Sequence, residues 1–517
     1  MAADSAVASD VKKTSRWIQS RKLWGNRTLI LLLLTVMFLY FQFVEIQDSH
    51  LSPFPIPSNH QDSSFVDEVP VLEDLDISAN ITISKRKSSS PSTSRRKKKR
   101  KVIESVVSMS DMEDILFKNR ASPNSQIPVW VTTVDNQMLH AKSEIENAPI
   151  LTKDDEQLYE PIFRNLSTFK RSYELMEKML KVYVYKDGDR SIFHNPPMVG
   201  IYASEGWFMK HMETSKHFLV DDPTKAHLFY VPFSSARLRK ELYIPDSHKH
   251  LNLIAYLQNH MHQLSSKYPF WNRTNGGDHF VAGCHDWATD ETENSMKTAI
   301  RALCTSNARG GFEIGKDVAL PATKIYHIRF PQRHVGGNPP HRRTTLAFFA
   351  GAMHGYLRPI LLKYWENRDP DMPISGPIPS TLKLKNNNHQ TVINPYLHYM
   401  KTSKYCLCPR GSQVWSTRVM ESIYYECVPV IISDNFVPPL FEVFNWSAFS
   451  VMLPEKDVPR LKEVLMDIPQ QRYLELGRGV REVRKHFLWN TKPVKYDLFH
   501  MILHSVWFNR LYQIRIQ

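Results

Sequence analysis

The chain has 517 residues, 42% hydrophobic and 11% aromatic, which gives it the material for two or three domains with substantial cores and excludes a wholly disordered polymer. Its formal net charge is +14, yet Lys85–Lys101 alone carries ten basic residues and no acidic one. Much of the excess sits in that one run, so a basic nucleic-acid-binding surface has no support outside residues 85–101.

Residues 1–28 read as a cytosolic tail carrying Lys12, Lys13, Arg16, Arg21, Lys22 and Arg27. The stretch 29–44, LILLLLTVMFLYFQFV, follows without a charge and would span roughly 24 Å as a helix, near the ~27 Å of a thin secretory membrane. A cleaved signal peptide is the alternative, but no small-x-small cleavage pattern follows and the run is long for such a core. The basic flank puts the N-terminus in the cytosol and everything beyond residue 44 in a lumen, the topology of a single-pass type II membrane protein.

From 45 to 150 the sequence is rich in Ser, Pro and charge with little periodicity, and reads as a disordered stem. Its SKRKSSSPSTSRRKKKRK run has a nuclear-localisation reading and a solvated, membrane-proximal one; the span upstream favours the second. Sequons at Asn80, Asn165, Asn272 and Asn445 would be luminal and open to glycosylation, while Asn26 lies on the cytosolic side. Cys284, Cys304, Cys406, Cys408 and Cys427 all follow the span, where one or two disulfides can form and one thiol must remain over. Their connectivity is not readable, and no zinc spacing is present.

Order is expected from about Leu166, where Phe169, Tyr173, Met176 and Leu180 fall at helical spacing. A strand KVYVY, a helix EGWFMKHME, a strand AHLFYVPFS, a long helix from His250 to Lys267 and an apolar strand into GGDHFVAGCHDWA follow. After PPHRRTT the pattern restarts with a strand at 346–351, the helices YLRPILLKYWEN and NPYLHYMKTS, a strand KYCLC, a helix over 415–426 and a strand VPVIIS. Strand and helix alternate throughout, which predicts α/β architecture with parallel sheets: one lobe over 151–335, a second over 336–490, and a C-terminal helix within 491–517.

The turn PRGSQ closes KYCLC. Its proline stops the ladder, Gly411 permits a positive φ, and Ser412 is the expected N-cap of the next helix. A strand end followed by a helix N-terminus is an anion site at the carboxyl edge of the sheet. Arg418 and Glu421 stand three apart on that helix, either as an ion pair or with separate work: Arg410 and Arg418 on a diphosphate, Glu421 accepting two ribose hydroxyls.

The string YCLCPRGSQVWSTRVMESIYYECVPVIISDNFVPPL strongly resembles the nucleotide-sugar half of exostosin-family glycosyltransferases, and YPFWNRTNGGDHFVAGCHDW and RTTLAFFAGAMHGYLR resemble two further blocks of that family. The likeness runs from about Val182 to Leu465, and its wording is most similar to the plant branch that includes xylogalacturonan xylosyltransferase. It implies a GT-B fold of two Rossmann-like lobes facing a cleft, inversion at the anomeric carbon, a UDP-sugar donor, a cell-wall polysaccharide acceptor such as pectin or hemicellulose, and a place in the Golgi membrane. One departure stands out: the family's GRDH is here Gly276-Gly277-Asp278-His279.

Inverting transfer needs a base, positive charge for the leaving diphosphate and a clamp on the nucleoside. For the base, Asp286 is the first choice and Asp278 the second, with His285 or His279 orienting; the alternative is that these four satisfy one another beneath the cleft. For the leaving group, Arg343 and Arg358 join Arg410 and Arg418, so no metal is expected. Asp187-Gly-Asp189 and Asp369-Pro-Asp371 imitate a metal-binding D-x-D but sit in polar turns, where aspartate is common for backbone reasons. Glu205 and Trp207 either line the acceptor groove or serve as a helix cap and a core aromatic. A luminal partner that binds glycan or nucleotide sugar within a transferase complex, without catalysis, is the rival function.

Overall fold

The computed structural model describes residues 106–122, 127–150, 157–247, 249–332, 334–386 and 389–515. The predicted span at 29–44, the basic run Lys85–Lys101 and the sequons at Asn26 and Asn80 lie outside the described residues. No helix among the described residues is long and apolar enough to cross a membrane.

Two helices, α1 (Met109–Ala121) and α2 (Thr133–Glu146), correct the expectation of a structureless stem to residue 150. Each opens on a capping box. The Ser108 hydroxyl accepts from the Asp111 N–H while the Asp111 carboxylate accepts from the Ser108 N–H, and Thr132 and Asp135 repeat the arrangement. Met112 and Leu116 of α1 pack with Leu303, Ala319, Val437 and Phe441, and α2 buries the stripe Val134, Met138, Ala141 and Ile145. Each large side chain fully buried is worth up to about 1.5–3 kcal/mol, so these stripes fix the segment to the body.

Helix α3 (Leu166–Met179), capped by Asn165, buries Phe169, Tyr173 and Met176 as their spacing predicts. Then come β1 (Val182–Val184), α4 (Ala203–Thr214), β2 (Leu228–Tyr230), α5 (Leu251–Lys267), β3 (His279–Gly283), β4 (Ile300–Leu303) and β5 (Val318–Ala319). These strands form one parallel sheet in the order β1-β2-β3-β4-β5. Strands β2, β3 and β4 are buried at every position, as a sheet covered on both faces requires.

The second set runs β6 (Thr345–Ala350), α6 (Leu357–Trp365), β7 (Ile374–Ser375), β8 (Leu382–Asn386), β9 (His389–Ile393), α7 (Pro395–Thr402), β10 (Ser403–Pro409), α8 (Arg418–Tyr424), β11 (Val428–Ile432) and β12 (Val451–Met452). Its parallel sheet has the order β12-β11-β10-β6-β7, while β8 and β9 pair as a separate antiparallel hairpin absent from the sequence expectation. Helix α9 (Gln470–Arg484) packs on α8 and β11, and α10 (Leu498–Gln513) crosses back onto β4, β5, α2 and α3.

The loop after β11 ties the two sheets together: the Ser306 hydroxyl donates to the Val437 carbonyl at 2.7 Å, and the Leu440 N–H to the Ala319 carbonyl at 3.0 Å. Disulfide Cys284–Cys304 joins the ends of β3 and β4, Cys406–Cys427 joins the middle of β10 to the start of β11, and Cys408 is the buried thiol left over. The α/β class with two parallel sheets is the one that the alternation predicts.

Candidate active site

All strands of each sheet end on one edge, and the carboxyl edge of the second sheet gathers three arginines. Arg418 opens α8 and donates to the carbonyl of Ala350, the last residue of β6, at 2.6 Å, with its guanidinium 4.8 Å from the Phe349 ring centre. A Cβ on Gly351 would stand 1.8 Å from that guanidinium, so a side chain there would displace Arg418 from its present place. Arg410, one residue past β10, reaches Glu455 at 3.5 Å and the Tyr356 hydroxyl at 3.4 Å. Arg358 on α6 is buried, donates to the Ala352 carbonyl at 2.9 Å and comes up against Gly411.

The Nε atoms of Arg358, Arg410 and Arg418 are all buried without a hydrogen-bond partner. Burial first, and then the charge of Arg418, push the Arg358 pKa down to about 9. Crowded cations with unmet donors are what a bound polyanion would relieve.

Two details of the turn differ from expectation. Gly411 has an ordinary backbone; the residue with positive φ is Gly355, at +71°, where a Cβ would lie 2.1 Å from the Gly411 carbonyl oxygen, so the loops after β6 and β10 press together there. Ser412 is exposed and does not cap the helix, which begins at Arg418 after a longer loop and has no side-chain cap. The Ser433 hydroxyl pins that loop by donating to the Val414 carbonyl at 2.8 Å.

Glu421 is buried, and its carboxylate accepts from the Tyr396 hydroxyl of α7 at 2.7 Å rather than from Arg418. Burial, and then the Glu421 charge, hold the Tyr396 pKa well above its ordinary value, so the tyrosine stays a donor. The carboxylate is thereby oriented with acceptor capacity to spare.

Arg343 is a correction. It precedes β6 at the amino edge of the sheet, where it donates to the carbonyls of Asn338, Met400, Ser403 and Tyr425. Four carbonyls on one guanidinium make it a staple of the scaffold, on the edge away from the other three arginines.

In the first sheet, β3 separates the four expected catalytic residues. Asp278 and His279 sit at its amino end, both fully buried. Asp278 takes Arg273 at 2.5 Å, Thr274 at 2.6 Å and His279 at 2.7 Å, and Arg273 continues to Asp135 of α2 at 2.6 Å. Although burial opposes ionisation, these partners hold the Asp278 pKa well below its usual range. Neither residue can meet an acceptor, so the catalytic expectation for both is withdrawn. Arg510 of α10 donates to the Gly277 carbonyl at 3.1 Å and belongs to this buried network.

His285 and Asp286 follow β3 at its carboxyl edge. Burial, then the charges of Arg239 and His250, push the His285 pKa down to about 3, and its neutral ring accepts from the Trp287 N–H at 3.2 Å and packs against Tyr202. Asp286 is half-buried and accepts from the Trp415 indole at 3.0 Å. Trp415 lies in the loop between Arg410 and Arg418, so this bond joins the carboxyl edges of the two sheets. Trp415, Tyr396 and Gly355 were missed in the sequence because their roles depend on contacts between distant segments.

Trp207 follows the second of its two readings, whereas Glu205 follows neither: it is buried, and α4 has no side-chain cap. Glu205 accepts from the Ser234 hydroxyl at 2.5 Å and the Cys284 N–H at 2.7 Å beneath the site, and burial pushes its pKa up to about 7. Trp207 is buried and donates to the Met198 carbonyl. Of the D-x-D lookalikes, Asp187 pairs with Lys267 at 2.5 Å, Asp189 caps Ser191, and Asp369 pairs with Lys462 at 2.5 Å. Asn165 and Asn272 are exposed, and the Asn445 side-chain oxygen accepts from the Ser447 hydroxyl at 2.6 Å.

Residues 176–468 match the exostosin GT47 domain. Probable glycosyltransferase At3g07620 of Arabidopsis thaliana is 41% identical over 354 residues, covering 68% of this chain and 73% of its own length. Probable glycosyltransferase At5g03795 of the same organism is 37% identical over 384 residues, 73% of this chain and 72% of its own. Probable beta-1,4-xylosyltransferase IRX10, also of Arabidopsis thaliana, is 26% identical over 353 residues, 63% of this chain and 81% of its own. Among solved structures, a glycosyltransferase from Rickettsia africae aligns at 9% identity over 63% of this chain and 96% of its own, with a TM-score of 0.28.

Proposed function

Because the chain belongs to the exostosin GT47 family of glycosyltransferases, we propose that it moves a sugar from a UDP-sugar, with inversion, onto a cell-wall polysaccharide in the Golgi lumen. The observation that carries this reading is the set of buried, unpartnered Nε atoms on Arg358, Arg410 and Arg418, with Asp286 bonded to Trp415 of the segment between Arg410 and Arg418.

Asp286 is the base. The acceptor hydroxyl oxygen bonds to the anomeric carbon on the face opposite the phosphate, its proton passes to the Asp286 carboxylate, and the anomeric carbon–oxygen bond to phosphate breaks with its electron pair leaving on UDP. Arg358, Arg410 and Arg418 hold the diphosphate as its charge develops, which preorganised cations do without a metal. Glu421, oriented by Tyr396, accepts the two ribose hydroxyls. Two disulfides fit an oxidising lumen.

The test is turnover of UDP-sugars by the detergent-solubilised full chain, screened against cell-wall oligosaccharides with and without excess EDTA. Transfer that persists in chelator is expected. UDP binding without transfer to any acceptor would replace the reading with a noncatalytic partner, and activity restored only by manganese would overturn the metal-free site.

A further inference from the structure

Trp415 stands in the segment 411–417, which carries no charge of its own and is bounded by Arg410 and Arg418. Its indole is half-buried and held at two places. The N–H donates to the Asp286 carboxylate at 3.0 Å, and the ring lies edge-on to Tyr202 with centres 6.1 Å apart. Tyr202 immediately precedes α4 and also packs on His285 at 4.9 Å, so one tyrosine steadies both sides of the bond. One residue before the indole, the Val414 carbonyl accepts from the Ser433 hydroxyl at 2.8 Å, which anchors the segment to the end of β11.

The two arginines that bound the segment are only partly engaged. Arg418 donates to the Ala350 carbonyl, and Arg410 lies against Glu455 at 3.5 Å and Tyr356 at 3.4 Å, while the Nε of each is buried without a partner. A diphosphate would supply the acceptors that both Nε atoms lack. It can take them from both arginines only where the backbone between them keeps one course, and ordering a slack segment on binding costs affinity. The bond from Asp286 holds that course from the opposite sheet. The same bond sets the plane of the Asp286 carboxylate, because one of its oxygens is fixed on the indole.

We propose that Trp415 is a positioning residue that links the two halves of the reaction: through its hydrogen bond to Asp286 it keeps the diphosphate-binding segment in its binding form and orients the base at the same time. The roles of Asp286 and the arginines in this proposal rest on the transferase reading. By reciprocity, whatever the bond gives to donor binding, donor binding returns to the alignment of Asp286. A seated donor therefore readies the base, and an empty donor site leaves it slack.

A double-mutant cycle on UDP affinity tests the linkage without an acceptor, by calorimetry on the detergent-solubilised full chain. It compares the native chain with Trp415→Phe, Asp286→Ala and the two combined; phenylalanine keeps a ring for Tyr202 and removes the N–H. Trp415→Phe should weaken UDP binding about fivefold, the lower end of typical couplings between sites, at an unchanged melting temperature. Asp286→Ala removes a negative charge as well as the bond, so its effect on UDP should be about fivefold less favourable in the native background than in Trp415→Phe, where no bond is left to lose. If the alanine chain fails to fold, Asp286→Leu, which keeps the bulk and offers no acceptor, takes its place in the cycle. Equal effects of the Asp286 replacement in the two backgrounds, with UDP still bound, overturn the inference and leave the transferase reading intact. A native chain that binds no UDP sinks both. Coupling in a chain that transfers no sugar upholds the linkage and sinks the transferase reading alone.

Discussion

The two ends of β3 carry nearly the same letters, Asp278-His279 before it and His285-Asp286 after it, and are put to opposite use. At the amino end the Asp278 carboxylate is fully partnered: Arg273, Thr274 and His279 surround it, and α2 and α10 close over them through Asp135 and Arg510. At the carboxyl edge Asp286 reaches out of its own sheet to Trp415. Chain direction separates them, because a parallel sheet offers substrates the edge where its strands end.

The comparison breaks most sharply if the aspartates are exchanged in consequence. Asp286→Asn should lower kcat by about 10²–10⁴-fold, the range of a lost general base, with the melting temperature unchanged. Asp278→Ala should instead cost about 3–5 kcal/mol of stability, since it takes one of two carboxylates from the buried Arg273 and leaves Thr274 and His279 without their acceptor. Activity assays beside thermal melts check both. An active Asp286→Asn protein would remove it as the base.

That contrast was available in the sequence and only partly read. The strand HFVAG and the carboxyl-edge rule were both legible and select Asp286 over Asp278, just as they exclude Arg343, which precedes its strand. The stripe Val134-Met138-Ala141-Ile145 and the capping pairs Ser108/Asp111 and Thr132/Asp135 were equally legible, but the Ser, Pro and charge around them masked a local period of 3.6. Alternation in LKLK and QTVI, on either side of an Asn-rich turn, announced the hairpin β8–β9. What the letters could not give is contact across the chain: Arg510 over Gly277, Trp415 on Asp286, Tyr396 on Glu421. Those partners come from segments whose relative placement only the folded chain sets.

The amino end makes a second demand. Because Asp135 belongs to its network, a luminal fragment starting after residue 150 loses that carboxylate along with the apolar faces of α1 and α2. Such a fragment should melt well below one starting before residue 105, by about 3–5 kcal/mol for the broken buried pair alone. Equal melting temperatures would mean that the two helices rest on the body without supporting it.

The two ends should also respond to pH in opposite directions. Asp278 is held below its ordinary pKa, so the stability it contributes is present above that value and is lost as pH falls. Glu205, at the carboxyl edge against the Cys284 N–H, has its pKa pushed up by burial from 4.5 to about 7. Its contribution is present below pH 4.5 and lost as pH rises through 7, about 3 kcal/mol over that window. Denaturation free energies from pH 5 to 8 should therefore fall more steeply for the native chain than for Glu205→Gln; identical slopes would show that Glu205 is ionised throughout.

The smallest effect tests whether the second sheet's carboxyl edge works by the same division between groups that are answered and groups that are waiting. Glu421 already has one partner, Tyr396, and its remaining acceptor capacity is what two ribose hydroxyls would use. Glu421→Gln should weaken UDP binding by about 1–3 kcal/mol, the loss of a hydrogen bond to a charged acceptor, while Tyr396→Phe, which only frees the carboxylate to turn, should cost about 1 kcal/mol or less. Arg418→Ala, measured in the same calorimetric series, should exceed both, because it removes countercharge from a diphosphate and not one hydrogen bond from a sugar. If Glu421→Gln and Arg418→Ala both bind UDP like the native chain, then Glu421 belongs with Asp278 among the groups already satisfied, and the donor must be held elsewhere on the edge.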